Sequence, residues 1–151
     1  MEIERKFLVN TLPENLEQYP QKEIEQGYLC TNPVIRIRRS NDNYILTYKG
    51  KGLMVREEHE HPLTGEAFEH LKTKIDGRLI HKTRYNIPYQ DNFTIELDIF
   101  HDELAPLVLA EVEFDSEEEA LAFLPPDWFG EDVTQSTEYH NSNLSKCTYP
   151  A

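Results

Sequence analysis

The sequence predicts a mainly β protein of the α+β class, with about eight antiparallel strands in a sandwich or barrel and few helices. The strongest hydrophobic periodicity along the 151 residues is two, which is typical of strands. Turn-forming residues separate the periodic runs, which favours hairpins between consecutive strands. No repeat at a fixed period and no linker divides the chain, so residues 1–151 are expected to form one domain.

Eight runs of residues carry the strand pattern. In the first run, Glu2, Glu4 and Lys6 alternate with the residues of the opposite face. The second and third runs are joined by Asn32-Pro33, a dipeptide that favours a turn. The predicted strands span residues 1–9, 26–30, 34–39, 44–49, 55–61, 79–86, 93–100 and 107–114.

The best helix candidate is the segment 64–75. It places Phe68, Leu71 and Ile75 on one face, at the spacing that an amphipathic helix needs. Asp76-Gly77 is expected to end it, because glycine readily adopts the left-handed conformation found after helix C-termini. This helix is available to cover an apolar face of the sheet.

The remaining elements are shorter. Ser116 is expected to cap a helix over 117–123, with acidic residues in its first turn and Pro125-Pro126 as its stop. Thr11 is the expected cap of a short N-terminal helix. The other predicted elements are that helix over 13–19, a turn with a short extended piece over 130–134, and a last helix over 137–145.

The composition excludes several classes of partner. Asp and Glu number 28 against 15 Lys and Arg, which gives a formal charge of −13 at pH 7. Duplex nucleic acid and anionic membranes both require a basic surface, so neither is an expected partner. No stretch approaches the roughly 20 apolar residues of a membrane span, and the N-terminus lacks a signal-peptide pattern. Cys30 and Cys147 fit no disulfide framework, which favours a reducing cytoplasmic location.

The polar faces of the predicted strands carry long ionisable side chains almost throughout. One such face is usually just a solvated surface, but seven together are difficult to explain that way. Ordinary solvated faces also contain Thr, Ser and Gln. The faces are Glu2/Glu4/Lys6, Arg36/Arg38, Thr47/Lys49, Arg56/Glu58/Glu60, Lys82/Arg84, Glu96/Asp98 and Glu111/Glu113.

These paired charges predict a site for metal and phosphate. Two carboxylates at i and i+2 on a strand lie about 7 Å apart and repel each other unless a cation lies between them. Oxygen-only ligands indicate Mg²⁺, Mn²⁺ or Ca²⁺ rather than zinc. Arginines at the same spacing form a fork for a multiply charged oxyanion such as phosphate. A barrel lined by both would hold metal ions and a polyphosphate inside and would carry its apolar faces outside, under helices.

The ordered series of motifs resembles the CYTH family, the triphosphate tunnel metalloenzymes. The opening Glu2-Ile3-Glu4-Arg5-Lys6 matches the family signature E-x-E-x-K. The resemblance covers essentially the whole chain, in order. It continues through Gln26-Gly27-Tyr28-Leu29, Arg36-x-Arg38, Thr47-x-Lys49, Arg56-x-Glu58-x-Glu60, Lys82-x-Arg84, Asp98-Ile99-Phe100, Glu111-x-Glu113, Asp132-Val133-Thr134 and Tyr139-x-Asn141-x-x-Leu144.

The resemblance implies an eight-stranded antiparallel β-barrel that forms a charged tunnel, with helices covering its outside. It also implies residue roles and a Mg²⁺ or Mn²⁺ cofactor. The implied metal ligands are Glu2, Glu4, Glu111 and Glu113, with Glu58, Glu60 and Asp98 for a second ion. The implied phosphate-binding residues are Lys6, Arg36, Arg38, Lys49, Arg56, Lys82 and Arg84.

The leading functional reading is a metal-dependent hydrolase of phosphoanhydride bonds, with inorganic tripolyphosphate favoured as its small-molecule substrate. The alternatives left open are an adenylate cyclase of the same fold, a thiamine or nucleoside triphosphatase, and a non-catalytic polyphosphate-binding module. The oligomeric state also stays open, with a homodimer among the expectations. The extra domain that some relatives carry has no counterpart in this sequence.

Lys82 and Tyr28 are the candidates for the catalytic proton transfers. Neighbouring cations such as Arg84 are expected to lower the pKa of Lys82 toward the range that suits a general base. Tyr28 would relay or orient the proton. His59 and His61 are not expected to bind zinc, because their spacing is not that of H-E-x-x-H and they lie on a strand.

Overall fold

The computed structural model describes residues 1–90 and 92–146 and consists mainly of antiparallel strands; Cys147 lies outside the described residues. The strands are β1 (Glu2–Val9), β2 (Gln21–Thr31), β3 (Val34–Ser40), β4 (Asn43–Lys49), β5 (Val55–Arg56), β6 (Glu58–Pro62), β7 (Asp76–Tyr89), β8 (Phe93–Phe100), β9 (Val108–Glu113) and β10 (Phe129–Asp132). The helices are α1 (Gly65–Lys72), α2 (Glu117–Ala122) and α3 (Asn141–Leu144).

The strands form a nearly closed antiparallel barrel, as the sequence predicted. The hydrogen-bonded order is β10-β1-β9-β8-β7-β2-β3-β4-β6, and β5 returns to pair with β1. The predicted strand over 55–61 is broken at Glu57, so β5 binds β1 while β6 binds β4. β5 and β6 together connect the two ends of the sheet and form the eighth strand of the barrel. β10 pairs with the other end of β1.

The apolar faces of the strands point outward, where helices and loops cover them. Around Phe7, one cluster combines residues of β1, β8 and β9 with Phe123, which follows α2, and Phe129 of β10. Phe7 and Phe129 have ring centroids 4.8 Å apart. A second cluster gathers residues of β7, β8 and β9 under Leu144 of α3. Because the apolar side chains are buried on the outside of the barrel, the interior of the barrel is available to charged side chains.

Helix α1 covers β3 and β4 but is shorter than predicted. Thr64 caps its first turn by accepting a hydrogen bond from the backbone of Ala67 at 3.0 Å, and Phe68 is fully buried. The helix ends at Lys72 rather than near residue 75. Asp76 already pairs with Tyr28 of β2, so the demand for strand hydrogen bonds overrides the helical pattern of the last predicted turn.

The other short elements agree in part with the sequence pattern. Ser116 caps α2 by accepting from the backbone of Glu119, as predicted. The N-terminal helix is only a 3₁₀ turn, Leu16–Gln18, and its cap is Asn15 in the left-handed conformation rather than Thr11. The last predicted helix divides into a 3₁₀ turn, Thr137–Tyr139, followed by α3. Within the described part of the chain, no helix is long and apolar enough to cross a membrane.

Candidate functional site

The barrel encloses a charged cavity of about 190 Å³. Its wall consists almost entirely of charged or polar side chains, with Val34 as the aliphatic member. Thirteen of the fifteen residues proposed from the sequence line it, and they come from eight of the strands. They are Glu2, Glu4, Lys6, Tyr28, Arg36, Arg38, Lys49, Arg56, Glu58, Glu60, Arg84, Glu111 and Glu113. The cavity also receives Glu96, which the sequence had placed on a charged face, and three residues of the C-terminal segment, His140, Asn141 and Ser142.

The strand register places charges of opposite sign across from each other. Lys6 of β1 stands opposite Glu111 of β9, and Lys49 of β4 stands opposite Glu58 of β6. Such cross-strand pairs stabilise a sheet, because side chains directly opposite each other lie within contact distance. The register therefore sets interior charges of opposite sign beside each other, both on strands close in the sequence and on β1 and β9, which are far apart in it.

Carboxylates crowd one part of the cavity. Glu4 and Glu111 share a hydrogen bond, and their pKa values move in opposite directions. Burial, with Glu111 and Glu2 nearby, raises the pKa of Glu4 well above its usual value. Lys6 and Arg84 outweigh the effect of burial at Glu111 and hold its pKa well below its usual value. Of the two, Glu4 is therefore the more readily protonated.

A lysine ammonium lies between two other carboxylates of this group. Lys49 Nζ is 3.0 Å from Glu2 Oε1 and 3.5 Å from Glu58 Oε2. Burial and the neighbouring Glu2 raise the pKa of Glu58, and burial with Glu2 and Glu96 raises that of Glu113. The carboxylates thus carry more negative charge than their local cations neutralise.

This part of the cavity fits a divalent cation by its donor chemistry. Among the described residues, no three Asp, Glu, His or Cys side chains already stand close enough to hold a metal together. Two features nevertheless favour a cation here: the pKa of Glu4 is raised beside Glu111, and the Lys49 ammonium bridges Glu2 and Glu58. Each is what paired carboxylates do when no other cation separates them. Oxygen donors of this kind match Mg²⁺ or Mn²⁺.

Arginines crowd another part of the cavity. Arg36 donates through Nη2 to Thr47 Oγ1 at 3.2 Å, and its buried Nε has no hydrogen-bond partner. Burial, with Arg36 and Arg84 nearby, lowers the pKa of Arg38 to about 9. A buried guanidinium that has an unpaired N–H donor and lies close to other cations is well suited to bind an anion.

Lys82 lies directly behind this wall and does not line the cavity. Its Nζ is 2.7 Å from Asp98 Oδ2, and both side chains are 1% exposed. Burial lowers the pKa of Lys82 to about 7, helped by Arg84 and Arg38 and opposed by Asp98. The expected downward shift thus has burial as its largest cause, with neighbouring cations second.

Asp98 is placed differently from the other proposed metal ligands. Arg84 binds it through both ends of its guanidinium, at 2.7 Å to Oδ1 and 2.9 Å to Oδ2, and Lys82 also contacts Oδ2. The residue does not line the cavity. Both oxygens contact cations of the protein, which favours a role for Asp98 as an anchor for Lys82 and Arg84; its metal role stays a prediction.

The C-terminal segment closes part of the cavity wall, which strand patterns alone did not predict. Lys6 Nζ donates to the carbonyl of Tyr139 at 3.0 Å, and Asn141 accepts from Gln26 Nε2 at 2.9 Å. Burial, with nearby Lys6 and Arg56, lowers the pKa of His140 to about 4. The motif Tyr139-x-Asn141-x-x-Leu144 was the signal that could have placed these residues at the site.

Comparison with known proteins places this charged barrel in a family. The family model described as the CYTH domain matches residues 1–148. The chain belongs to the CYTH domain family. This CYTH domain is 43% identical over 148 residues to a curated inorganic triphosphatase of Nitrosomonas europaea, covering 95% of this chain and 96% of that protein.

Two further similarities extend over nearly the full length of this CYTH domain. A curated inorganic triphosphatase of Acetivibrio thermocellus is 36% identical over 154 residues, covering 98% of this chain and 95% of that protein. A crystal structure of an inorganic triphosphatase superposes with a TM-score of 0.73 at 40% identity, covering 97% of this chain and 95% of that chain.

Proposed function

We propose that this CYTH domain hydrolyses inorganic triphosphate in a reaction that depends on Mg²⁺ or Mn²⁺. The observation that carries the proposal is the division of one buried cavity into a carboxylate group around Glu4 and Glu111 and a guanidinium group around Arg36. A triphosphate needs both, because its oxygens bind cations of the protein and metal ions together. The relatives named inorganic triphosphatase support the same substrate.

The guanidinium group binds the phosphate oxygens. Arg36 offers its unpartnered Nε, and Arg38 lies beside it with only its own Nε engaged by Gln26. Lys6 and Arg56 line the same cavity and add positive charge. Lys49 is expected to exchange its carboxylate partners for phosphate oxygens once another cation neutralises Glu2 and Glu58. Binding along several cations holds the chain in line for attack by water.

The carboxylate group holds the metal. Glu2, Glu4, Glu58 and Glu111 are its proposed ligands, and the more exposed Glu60 and Glu113 lie at the rim of the same cavity. When bound, a divalent ion supplies positive charge against the phosphate oxygens and assists water activation. Because the pKa of Glu4 is raised, binding of a metal by Glu4 would be coupled to its deprotonation.

Lys82 serves as the general base and Tyr28 orients the proton transfer. Burial keeps the pKa of Lys82 at about 7, so a large fraction is neutral at neutral pH. Tyr28 is buried and lines the cavity on the strand opposite Arg36, where its hydroxyl can serve as donor or acceptor. Tyr28 thus connects the cavity with the buried amine of Lys82, which lies behind the cavity wall.

The wall of the cavity favours inorganic triphosphate over a nucleotide as the substrate. Its described lining offers Val34 as aliphatic surface and Tyr28 as phenol, and no flat apolar slot for a base or a thiazolium. The adenylate cyclase and thiamine triphosphatase readings require such a slot. The non-catalytic module does not require the buried acidic pairs, since binding of an anion alone is weakened by carboxylates.

The test is a product assay on purified protein. It is incubated with tripolyphosphate, ATP or thiamine triphosphate in the presence of Mg²⁺ or Mn²⁺, with chelator as the control. Release of orthophosphate and pyrophosphate from tripolyphosphate, abolished by chelator, is the expected result. Cyclic AMP from ATP would establish the cyclase instead, and no product from any substrate would leave only the binding module.

A further inference from the structure

We propose that Asn141 is a positioning residue that holds the amine of Lys82 in the orientation needed for catalysis. The inference rests on the proposed function, in which Lys82 is the general base. Asn141 Oδ1 accepts hydrogen bonds from Lys82 Nζ at 3.1 Å and from Gln26 Nε2 at 2.9 Å. Asn141 also lines the cavity, whereas Lys82 does not, so Asn141 stands between that amine and the site.

The orientation of the Asn141 amide is set by its partners. Gln26 Oε1 accepts from Arg38 Nε at 2.7 Å, so the amide nitrogen of Gln26 must face Asn141. Asn141 therefore has to present its oxygen, because its own nitrogen would place donors against the donors of Gln26 and Lys82. A hydrogen-bonded chain thereby runs from Arg38 through two amides to the buried amine.

Two acceptors define the geometry of the Lys82 amine. Nζ contacts Asp98 Oδ2 at 2.7 Å as well as Asn141 Oδ1. A neutral amine has two N–H donors and one lone pair. With both donors held, the lone pair is confined to the one remaining tetrahedral direction. Loss of Asn141 would leave the amine tethered by Asp98 alone and free to rotate, which costs reaction rate rather than substrate binding.

The backbone around Asn141 does not depend on its side chain. Its carbonyl accepts from the backbone N–H of Ser145 at 2.9 Å, and Leu144, which is 1% exposed, anchors α3 in the second apolar cluster. Asn143 provides a matched control two residues along the same turn. It is exposed, and its amide donates to the carbonyl of Thr137 at 2.6 Å, away from the cavity.

The kinetic test compares Asn141→Leu, which keeps the branched shape but removes the acceptor, with Asn143→Leu. With tripolyphosphate and Mg²⁺, Asn141→Leu is expected to lower kcat about 10- to 100-fold while KM changes less than about threefold. Asn143→Leu is expected to keep both parameters near the wild-type values. An unchanged kcat in Asn141→Leu, a rise in KM alone, or equal losses in the two variants would overturn the positioning role.

A second measurement separates this inference from the proposed function. The ¹⁵N resonance of Lys82 Nζ, assigned by its loss in Lys82→Met, is recorded without metal or substrate. It is expected to move in Asn141→Leu and to stay in place in Asn143→Leu. An unmoved resonance in Asn141→Leu would overturn the positioning of Lys82 alone. Absence of hydrolysis by the wild-type protein would overturn the proposed function and the catalytic meaning of that positioning, even if the resonance moved.

Discussion

Glu4 and Glu111 lie in one hydrogen-bonded pair inside the barrel, with the pKa of Glu4 raised and that of Glu111 lowered. Glu4 stands opposite Glu113 in the β1–β9 register, so its contact with Glu111 runs diagonally across the ladder. Two buried carboxylates at this range cannot both carry charge without a cation between them. The raised pKa of Glu4 indicates that the cations of the protein do not fully neutralise the negative charge at this place.

Replacement of Glu4 by Gln should separate stability from activity. The Gln amide can donate to Glu111 as protonated Glu4 does, so the unfolding midpoint without metal should stay within about 2 °C of wild type. Hydrolysis should fall at least about 100-fold, because the amide is a poor metal ligand. Thermal unfolding with and without Mn²⁺, together with orthophosphate release, checks both parts. Wild-type activity in Glu4→Gln would contradict the metal assignment.

Replacement of Arg36 by Lys should weaken substrate binding. Lysine keeps the charge but loses the Nε donor, which has no partner inside the protein. KM for tripolyphosphate should rise about tenfold, which corresponds to about 1.4 kcal/mol. Arg39→Lys is the matched control, since Arg39 lies on the opposite face of β3 and pairs with Glu25 at 3.7 Å. Equal rises in KM for Arg36→Lys and Arg39→Lys would mean that residues other than Arg36 bind the phosphate.

The pH dependence of turnover should report Lys82. Its pKa of about 7 means that kcat should rise with pH through about 7, as the amine becomes neutral and able to accept a proton. In Lys82→Met, kcat should fall about 100- to 1,000-fold and this rise should disappear. Steady-state rates from pH 5.5 to about 9 at saturating substrate provide the measurement. A variant that keeps wild-type kcat and only raises KM would exclude Lys82 as the base.

The polar wall should discriminate against nucleotides. With tripolyphosphate and ATP present together, kcat/KM should favour tripolyphosphate at least about tenfold, because the described cavity offers the adenosine little apolar surface beyond Val34 and Tyr28. Competition between the two substrates, followed by separation of the products, measures the ratio directly. Equal specificity constants would mean that a nucleoside extends outside the cavity without cost.

The stability of the fold at acid pH should depend on His140. Burial lowers the pKa of His140 to about 4 from its ordinary 6.5, so folding favours the neutral ring. This contribution is fully present above about pH 6.5 and is lost as the pH falls toward 4, because the unfolded chain then binds the proton more readily. His140→Gln should therefore show a shallower fall of the unfolding midpoint over this range.

A histidine on the outside provides the comparison for this measurement. His70 is exposed on α1, and His70→Gln should leave the slope of the unfolding midpoint against pH unchanged. Carboxylates also titrate in this range, and the comparison of the three proteins separates most of their contribution from that of His140. If His140→Gln and wild type follow parallel curves, the buried imidazole does not contribute to acid sensitivity.

Alternation along each strand was a reliable guide to the barrel and to most of its lining. Arg36 and Arg38 share a face in any regular strand, and so do Glu111 and Glu113. Local pattern was less reliable where pairing between strands competes with it. Ile75 fits the helical face of α1, yet the chain leaves the helix at Lys72 to begin β7 beside β2.

The order of residues is enough to predict which side chains share a face, the sign of their charge and the class of ligand they suit, because a strand alternates with a period of two whatever its neighbours are. Which charges meet depends on the three-dimensional arrangement of the strands. Strand register joins Asp98 to Lys82 and Arg84, and so takes it out of the cavity. Packing of α3 brings Asn141 against Lys82, 59 residues away in the chain. Contacts between residues so far apart in the chain depend on how the barrel closes, and the local spacing of residues does not predict that closure.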